Sequence, residues 1–283
     1  MEKIRQGDIV SRISYGHDIL FVVSRVIKKR NQKALYLLKG LTMRIEADSP
    51  EEDLTIIHTD RVKKSMRQLD GRLQKRKEQF LANKKPKVGN SFLKNQNRSE
   101  EEWIHTGKIL HLDGDKRYTE KSMRYYKELG LHAIVKNIAE NKQPILVRSL
   151  LEKYKPDILI ITGHDALIKG ARNYEDVSNY RNSKYFAKTV QEARKWDKEK
   201  RLVIFAGACQ SYFELLMSCG ANFASSPARV LIDFADPLVI AEKVATTDKC
   251  EYITIEDLAK ELRDGTKGVG GIGAKGKKEI ILK

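Results

Sequence analysis

The sequence predicts an α/β protein whose main unit is a mostly parallel sheet with helices on both faces, preceded by a small β-rich module. From residue 108 onward, apolar strand-like runs alternate with segments of helical periodicity, which is the order that builds parallel sheets. Two runs, 157–161 and 201–206, are apolar after their first residue, as in strands buried on both faces. The residues before 60 instead carry short apolar runs between turn signals.

The N-terminal module, residues 1–60, is predicted to be a small SH3-like barrel of four or five strands. Gly7-Asp8-Ile9-Val10 opens a strand after a turn signal. The apolar runs 18–26 and 34–41 flank Arg30-Asn31-Gln32-Lys33, which has the composition of a hairpin turn. Modules of this kind bind peptides or nucleic acid, or dock on their own chain, and the sequence leaves these alternatives open.

Residues 61–105 are predicted to form a basic helix followed by a flexible linker. Leu69, Leu73 and Phe80 keep helical spacing, and the composition becomes polar after Lys85-Pro86. The net charge is +16, and residues 61–98 hold thirteen Lys or Arg against two acids. Because the excess charge is concentrated in one segment, it indicates a tether or arm, and nucleic acid stays open as a partner through that segment only.

The remaining residues, 106–283, are predicted to form the α/β domain. Its strands are expected at 108–113, 132–135, 157–161, 201–206 and 221–224. Its helices are expected at 119–129, 144–154, 183–200, 212–219 and 236–245, with Thr119 and Asp236 as N-caps. The glycine-rich stretch 265–276 has no preceding strand and no Gly-Lys-Ser/Thr ending, so it is predicted to be a flexible or turn-rich tail rather than a phosphate-binding loop.

Composition excludes several classes of protein. No apolar run approaches the roughly 20 residues of a membrane span. The N-terminus lacks the apolar stretch of a secretory signal, so we expect a cytoplasmic protein with no membrane partner. The three cysteines, Cys209, Cys219 and Cys250, have no metal-type spacing and should be reduced thiols in that compartment. We therefore expect no metal and no cofactor.

The candidate chemistry lies where two apolar strands end. His164 follows the run 157–161, and Cys209 follows the run 201–206. Sites in open parallel sheets form beyond the carboxyl ends of the strands. If the two strands are neighbours, His164 can act as the base that activates the Cys209 thiol and then protonate a leaving amine.

Purely structural roles are the alternative for each residue, since a lone cysteine after a strand is more often a small core residue. The matched positions of Cys209 and His164 favour a catalytic pair, whereas Cys219 is expected in the core and Cys250 on the surface. Two other functions stay open. One is a nucleic-acid- or coat-binding protein that uses the barrel and the basic arm, with a non-catalytic α/β domain. The other is a different thiol hydrolase, such as an amidase.

The order of the two blocks, strand–His and then strand–Ala–Cys, resembles the caspase–gingipain–clostripain group of cysteine peptidases. The resemblance implies a caspase-like fold with an oxyanion hole beside the histidine. That group has His-Gly, whereas this chain has Gly163-His164-Asp165. Gly163, Asp165 and Ala208 are therefore the residues expected to orient the histidine or to supply the oxyanion hole.

Blocks along the whole chain carry a second resemblance. They are Gly7-Asp8-Ile9-Val10-Ser11-Arg12, Ser14-Tyr15-Gly16, Leu38-Lys39-Gly40-Leu41, Ala47-Asp48-Ser49-Pro50, Thr162-Gly163-His164-Asp165 and Ser225-Ser226-Pro227-Ala228-Arg229-Val230. Together they resemble the YabG family of sporulation-specific cysteine endopeptidases. The resemblance implies Cys209 as nucleophile and His164 as base. It also implies trimming of spore coat and morphogenetic proteins after basic residues, in the mother-cell cytoplasm of a sporulating bacterium, with self-processing.

Cleavage after Arg or Lys needs a carboxylate in the substrate pocket. Asp233 and Asp236, which follow Cys209 in the chain, are the candidates for this role. Self-cleavage in cis or trans would process or release the catalytic domain. The basic segment offers sites for it at Lys63-Lys64, Arg72, Lys75-Arg76-Lys77 and Lys84-Lys85.

Overall fold

The computed structural model describes residues 3–28, 33–84 and 102–282, and it has the predicted α/β class. The linker predicted after Lys85-Pro86 lies outside these residues except at its end, where Glu102–His105 form a strand paired with Glu279–Leu282 rather than flexible linker. The N-terminal module consists of β1 (Ile9–Arg12), β2 (Phe21–Ile27), β3 (Leu35–Gly40), β4 (Glu46–Pro50) and β5 (Leu54–Ile56). A long helix, α1 (Thr59–Lys84), follows it.

The N-terminal module is an antiparallel sheet in the order β4-β3-β2-β1-β5. The module has the predicted number of strands, but in the described part of the chain no ladder joins the edge strands β4 and β5, so the predicted SH3-like barrel is not confirmed. The backbone that leads into β4 pairs outside the module instead, because Ile45 bridges Asp165 of the α/β domain. Val10, Phe21 and Leu38 form part of the module's buried core.

Up to Lys84 the basic segment forms the predicted helix, and this helix packs on the α/β domain. Arg76 of α1 forms ion pairs with Glu242 at 3.1 Å and with Glu261 at 2.7 Å. Leu69 is fully buried and belongs to the core of that domain. Part of the positive charge of α1 is therefore used for docking within the chain. Division of the chain at residues 60 and 105 stays a prediction.

The remaining strands are β6 (Glu102–His105), β7 (Ile109–Asp113), β8 (Ala133–Asn137), β9 (Ile158–Thr162), β10 (Val203–Ala206), β11 (Phe223–Ser225), β12 (Tyr252–Ile253), β13 (Val269–Gly271), β14 (Ala274–Lys275) and β15 (Glu279–Leu282). The remaining helices are α2 (Lys116–Glu128), α3 (Gln143–Tyr154), α4 (Ser183–Trp196), α5 (Phe213–Ser218), α6 (Asp236–Thr246) and α7 (Ile255–Ala259). Within the described ranges, none of the helices has the length and apolar character to cross a membrane.

The main sheet has six strands in the order β13-β11-β10-β9-β7-β8. Its neighbouring strands are parallel except for β11 and β13, which pair antiparallel. Alternate residues of the central strands belong to different apolar clusters. Ile160 and Phe205 pack in the cluster that contains α6, and Leu159 and Ile204 pack in the cluster that contains α3 and α4. The two clusters lie on opposite faces, since successive strand residues point to opposite sides.

The start of α2 differs from the sequence prediction. The helix begins at Lys116, and Thr119 lies inside it rather than at its N-cap. The true N-cap is Asp115, because its carboxylate accepts hydrogen bonds from the N–H groups of Arg117 and Tyr118.

Two predictions near the C-terminus were also wrong. Asp236 is the first residue of α6 rather than its N-cap, which is Ala235. Within the glycine-rich stretch, Val269–Gly271 forms the edge strand β13, which pairs with β11, and Ala274–Lys275 forms β14, which pairs with β12, so the stretch is not a flexible tail. At Gly271 a Cβ would lie 2.3 Å from the Asn222 carbonyl oxygen, so glycine permits this close approach.

Candidate active site

Neighbouring strands of the main sheet bring their carboxyl ends to one edge. Asp113 ends β7 opposite Thr162 at the end of β9, and β10 is the next strand along. The chain beyond β9 carries His164, and the chain beyond β10 carries Cys209. Both side chains are fully buried. The structure therefore brings the two predicted residues to the same edge of the sheet, where sites of open α/β folds form.

A loop from the N-terminal module covers this edge. It comprises residues Leu41–Ile45, between β3 and β4, and is called the Arg44 loop below. The backbone carbonyl oxygen of Arg44 accepts hydrogen bonds from the N–H groups of Asp165 and Cys209, both at 3.1 Å. Two preorganised N–H donors that converge on one oxygen at this distance are the geometry that stabilises a developing oxyanion.

The Arg44 side chain fills a closed pocket beneath the loop. Its Nη1 lies 2.7 Å from Asp113 Oδ2, and neither side chain is exposed. The guanidinium carbon lies 4.9 Å from the ring centroid of Tyr118 and 5.4 Å from that of Phe234. Burial would raise the pKa of Asp113, but the charge of Arg44, followed by the interaction with the nearby His111, outweighs it and holds this pKa well below its usual range.

His164 is fixed through its backbone and its ring. Its N–H donates to the Glu140 carboxylate at 3.0 Å, and its ring stacks on Tyr118 with centroids 5.1 Å apart. Nε2 lies 3.4 Å from the Gly40 carbonyl oxygen, whereas the buried Nδ1 has no hydrogen-bond partner among the described residues. Burial, and then the charge of Lys39, lower the pKa of His164 to about 3. The imidazole is therefore neutral at pH 7, with one nitrogen available to accept a proton.

The Cys209 thiol lies against the backbone of Ile232. The Ile232 N–H donates to Sγ at 3.2 Å, and Sγ lies 3.5 Å from the Ile232 carbonyl oxygen. Burial raises the pKa of the thiol to about 12, so it is protonated while the loop is in place. In the part of the chain that the structure describes, no hydrogen bond joins Cys209 to His164. The two residues are gathered at one edge but do not engage each other in this closed arrangement.

Asp165 links the histidine block to the cysteine block. Its carboxylate accepts hydrogen bonds from the hydroxyl groups of Ser183, at 2.5 Å, and Ser211, at 2.8 Å. Ser211 Oγ in turn accepts the N–H of Ala208 at 2.9 Å. The side chain of Asp165 thus holds the turn that carries Cys209, while its backbone N–H is one of the two donors described above.

The two other residues predicted for the oxyanion hole occupy different places. Gly163 packs so closely on Glu140 that a Cβ would lie 2.4 Å from a carboxylate oxygen, so glycine makes room beside His164. The Ala208 N–H is used by Ser211, and its carbonyl oxygen accepts the Ser225 hydroxyl at 2.8 Å. Ala208 therefore shapes the turn rather than donating to the Arg44 carbonyl.

The carboxylates predicted for the substrate pocket are both buried. Asp233 pairs with Arg72 of α1. Asp236 accepts hydrogen bonds from the N–H groups of Asp233 and Arg263, and burial, followed by the charge of Asp233, raises its pKa to about 6. Within the described chain, neither carboxylate forms an ion pair with Arg44. The acid that does so is Asp113.

Sequence reasoning missed Arg44, Asp113 and Tyr118. Asp113 carried the same signal as His164, since it closes a predicted strand at the same sheet edge. Arg44 carried only a weak signal, an arginine between the apolar residues Met43 and Ile45. Tyr118 lay just before the predicted helix and carried none.

The environments of the three cysteines predict the order of their alkylation. Cys250 is exposed, Cys219 is half-buried with a pKa raised by that burial, and Cys209 is buried. Because the thiolate is the reactive form, iodoacetamide at pH 8 is expected to modify Cys250 first and Cys209 only on unfolding or release of the Arg44 loop. Peptide mapping by mass spectrometry checks the order. Labelling of Cys209 as fast as Cys250 would contradict the closed arrangement.

Comparison with known proteins places the chain among the peptidases. A family model described as YabG peptidase U57 matches residues 5–282. The sporulation-specific protease YabG of Bacillus subtilis (strain 168) is 38% identical over 287 residues, covering 95% of this chain and 94% of that protein. The chain therefore belongs to the YabG peptidase family, which confirms the resemblance seen in the sequence blocks. No solved structure matches it significantly.

Proposed function

We propose that this peptidase is a cysteine endopeptidase that cleaves after basic residues, with Cys209 as nucleophile and His164 as its base. Family membership supplies the peptidase activity. The cysteine type is supported by one observation above all, the convergence of the Cys209 and Asp165 N–H groups on a single carbonyl oxygen. A thiol and a neutral imidazole lie on the two chain segments that provide these donors.

In the proposed reaction, His164 takes the proton of the Cys209 thiol, and the thiolate attacks the carbonyl carbon of the substrate. The N–H groups of Cys209 and Asp165 stabilise the negative charge that develops on the carbonyl oxygen. The amine leaves with the proton from His164, and water then hydrolyses the thioester. The Asp165 carboxylate keeps the two donor segments in register through Ser211.

The proposed substrates are spore coat and morphogenetic proteins in the mother-cell cytoplasm of a sporulating bacterium. Support comes from the Bacillus subtilis relative, whose name describes a sporulation-specific protease. A nucleic-acid- or coat-binding role for the basic segment has less support, because α1 uses Arg72 and Arg76 in ion pairs with the α/β domain.

The test is digestion of an arginine-rich protein by the purified full chain and by Cys209→Ala, followed by mass spectrometry of the fragments. Wild-type fragments are expected to end in Arg or Lys, and Cys209→Ala is expected to produce none. Identical fragments from both proteins would contradict a cysteine nucleophile. Absence of cleavage by either, together with steeply salt-dependent DNA binding, would favour the binding protein.

Self-processing in the basic segment is expected to occur between molecules. Arg72 and Arg76 lie inside a helix that ion pairs dock on its own α/β domain, so these bonds cannot enter the site of the same chain while the helix stays docked. Wild type should therefore shorten at a rate that rises with protein concentration. Cys209→Ala should stay full length until a trace of wild type is added. Intact-mass measurements over time check this expectation, and equal fragmentation of the two proteins would rule it out.

A further inference from the structure

The Arg44 loop lies in the site as an extended segment. Its Met43 forms an antiparallel bridge with Asp233, and the Thr42 carbonyl oxygen accepts the Phe234 N–H at 3.3 Å. On the other side of Arg44, the Glu46 N–H donates to the Asp165 carbonyl oxygen at 3.1 Å. Backbone pairing on both sides of one residue is how an extended peptide is held when it adds to the edge of a sheet.

Arg44 occupies the position that the residue before a scissile bond would take. Its carbonyl oxygen accepts the two N–H groups that the proposed mechanism assigns to the oxyanion. Its side chain enters a pocket lined by two aromatic rings that contact each other, Tyr118 and Phe234, and by a carboxylate, Asp113, that pairs with the guanidinium. Both ends of the residue therefore meet groups suited to an arginine substrate.

The pocket carboxylate is itself held in place. Asp113 Oδ1 accepts the Asp115 N–H at 2.8 Å, and Oδ2 accepts the Thr162 hydroxyl at 3.0 Å. These bonds leave Oδ2 directed at Arg44 and keep the carboxylate charged. A fully buried, preoriented carboxylate beside aromatic rings suits a guanidinium better than an ammonium, which has no planar face to stack.

We propose that the Arg44 loop is a built-in mimic of the substrate, and that Asp113 is the carboxylate that recognises the arginine of a substrate once the loop has left. This inference rests on the proposed function and adds to it the specificity residue and a latent state. Asp113 takes the role that the sequence suggested for Asp233 or Asp236.

The structure around the Arg44 loop favours a loop that stays bound in the site and is not cleaved there. The two strands that flank it are paired, and Gly40 N–H donates to the Ile45 carbonyl oxygen at 2.9 Å. The hairpin thus holds the residues on both sides of Arg44 in place. The Cys209 sulfur meanwhile rests on the Ile232 backbone as a thiol. Entry of a substrate requires the hairpin tip to withdraw from the pocket.

Binding measurements in a Cys209→Ala background test the inference without turnover. The probe is a fluorescent peptide with the sequence of residues 41–46, and its twin carries Gln in place of Arg. Cys209→Ala/Arg44→Met is expected to bind the arginine peptide at least about tenfold more tightly than Cys209→Ala alone, because Met cannot pair with Asp113 and the peptide then displaces the loop more readily. It should also prefer the arginine peptide to the glutamine twin by at least about tenfold.

Matched carboxylate variants identify the recognition group. Adding Asp113→Asn to Cys209→Ala/Arg44→Met should abolish the preference for the arginine peptide, whereas adding Asp233→Asn should preserve it. Arg44→Lys, which keeps a cation in the pocket, provides a second variant and should give intermediate peptide affinity if Arg44→Met does not fold. A preference that survives Asp113→Asn, or equal affinity with Arg44 present and absent, would overturn the inference.

The two proposals fail in different ways. If the cysteine mechanism is wrong, wild type and Cys209→Ala will cleave alike, whatever the peptide affinities are. If the loop inference is wrong, cleavage will depend on Cys209 but peptide binding will not depend on Arg44 or Asp113.

Discussion

Cys209→Ala is expected to lower kcat/KM on an arginine-containing peptide by at least about 10⁴-fold, because the proposed reaction loses its nucleophile and retains only binding and oxyanion stabilisation. The backbone N–H of residue 209 remains, so the donor pair around the carbonyl oxygen stays in place. A fluorogenic peptide with a single arginine measures the loss. Circular dichroism of the same samples separates it from unfolding.

His164→Ala is expected to lose nearly as much activity as Cys209→Ala, and the double variant little more, because residues that act as one unit are strongly non-additive. Cys219→Ala and Cys250→Ala are the matched controls. Neither thiol lies at the sheet edge, and both variants should keep wild-type kcat/KM. If the losses of kcat/KM from Cys209→Ala and His164→Ala multiply in the double variant, the two residues do not act in one step. A loss of kcat/KM in Cys250→Ala would implicate a different thiol.

The central part of the fold and the placement of Cys209 and His164 at one sheet edge were predictable from sequence for one physical reason. Buried parallel strands are continuous apolar runs, and their carboxyl ends meet at one edge. The apolar runs that precede His164 and Cys209 therefore predict both the parallel sheet and the edge at which the two residues lie. The same rule applies to the strand that ends in Asp113, but nothing in the sequence distinguishes this residue as part of a pocket rather than as the end of a strand.

The Arg44 loop could not be predicted in this way. Hydrophobic periodicity indicates which face of a helix or strand is buried. Arg44 instead lies in a loop, and it is buried against a carboxylate 69 residues away in the α/β domain. The absence of a ladder between β4 and β5 in the described residues has the same origin. Short strands of suitable spacing indicate an antiparallel sheet, but whether its edges close on each other depends on long-range pairing such as that of Ile45 with Asp165.

Arg44→Ala is expected to lower the free energy of unfolding by about 3–5 kcal/mol at pH 7, because it leaves the buried carboxylate of Asp113 without its cation. Asp113 would keep its hydrogen bonds from the Asp115 N–H and the Thr162 hydroxyl, which do not replace a charge. Urea unfolding followed by fluorescence measures the loss. Arg148→Ala, which breaks an exposed ion pair with Glu152 on α3, should leave the midpoint unchanged.

The pH dependence of this loss identifies Asp113 as its source. In wild type the pKa of Asp113 is held below its unfolded value, so the carboxylate contributes stability above that value and loses it as pH falls. Without Arg44, burial should raise the pKa of Asp113 above its unfolded value, so Arg44→Ala should lose stability as pH rises. The difference between the two proteins should therefore widen from pH 4 to pH 7.

Arg44→Met/Asp113→Asn removes both charges and should recover most of the loss, since an uncharged buried pair needs no compensation. A difference that does not change with pH, or that persists in the double variant, would place the destabilisation in the packing of the Arg44 loop rather than in the Arg44–Asp113 ion pair.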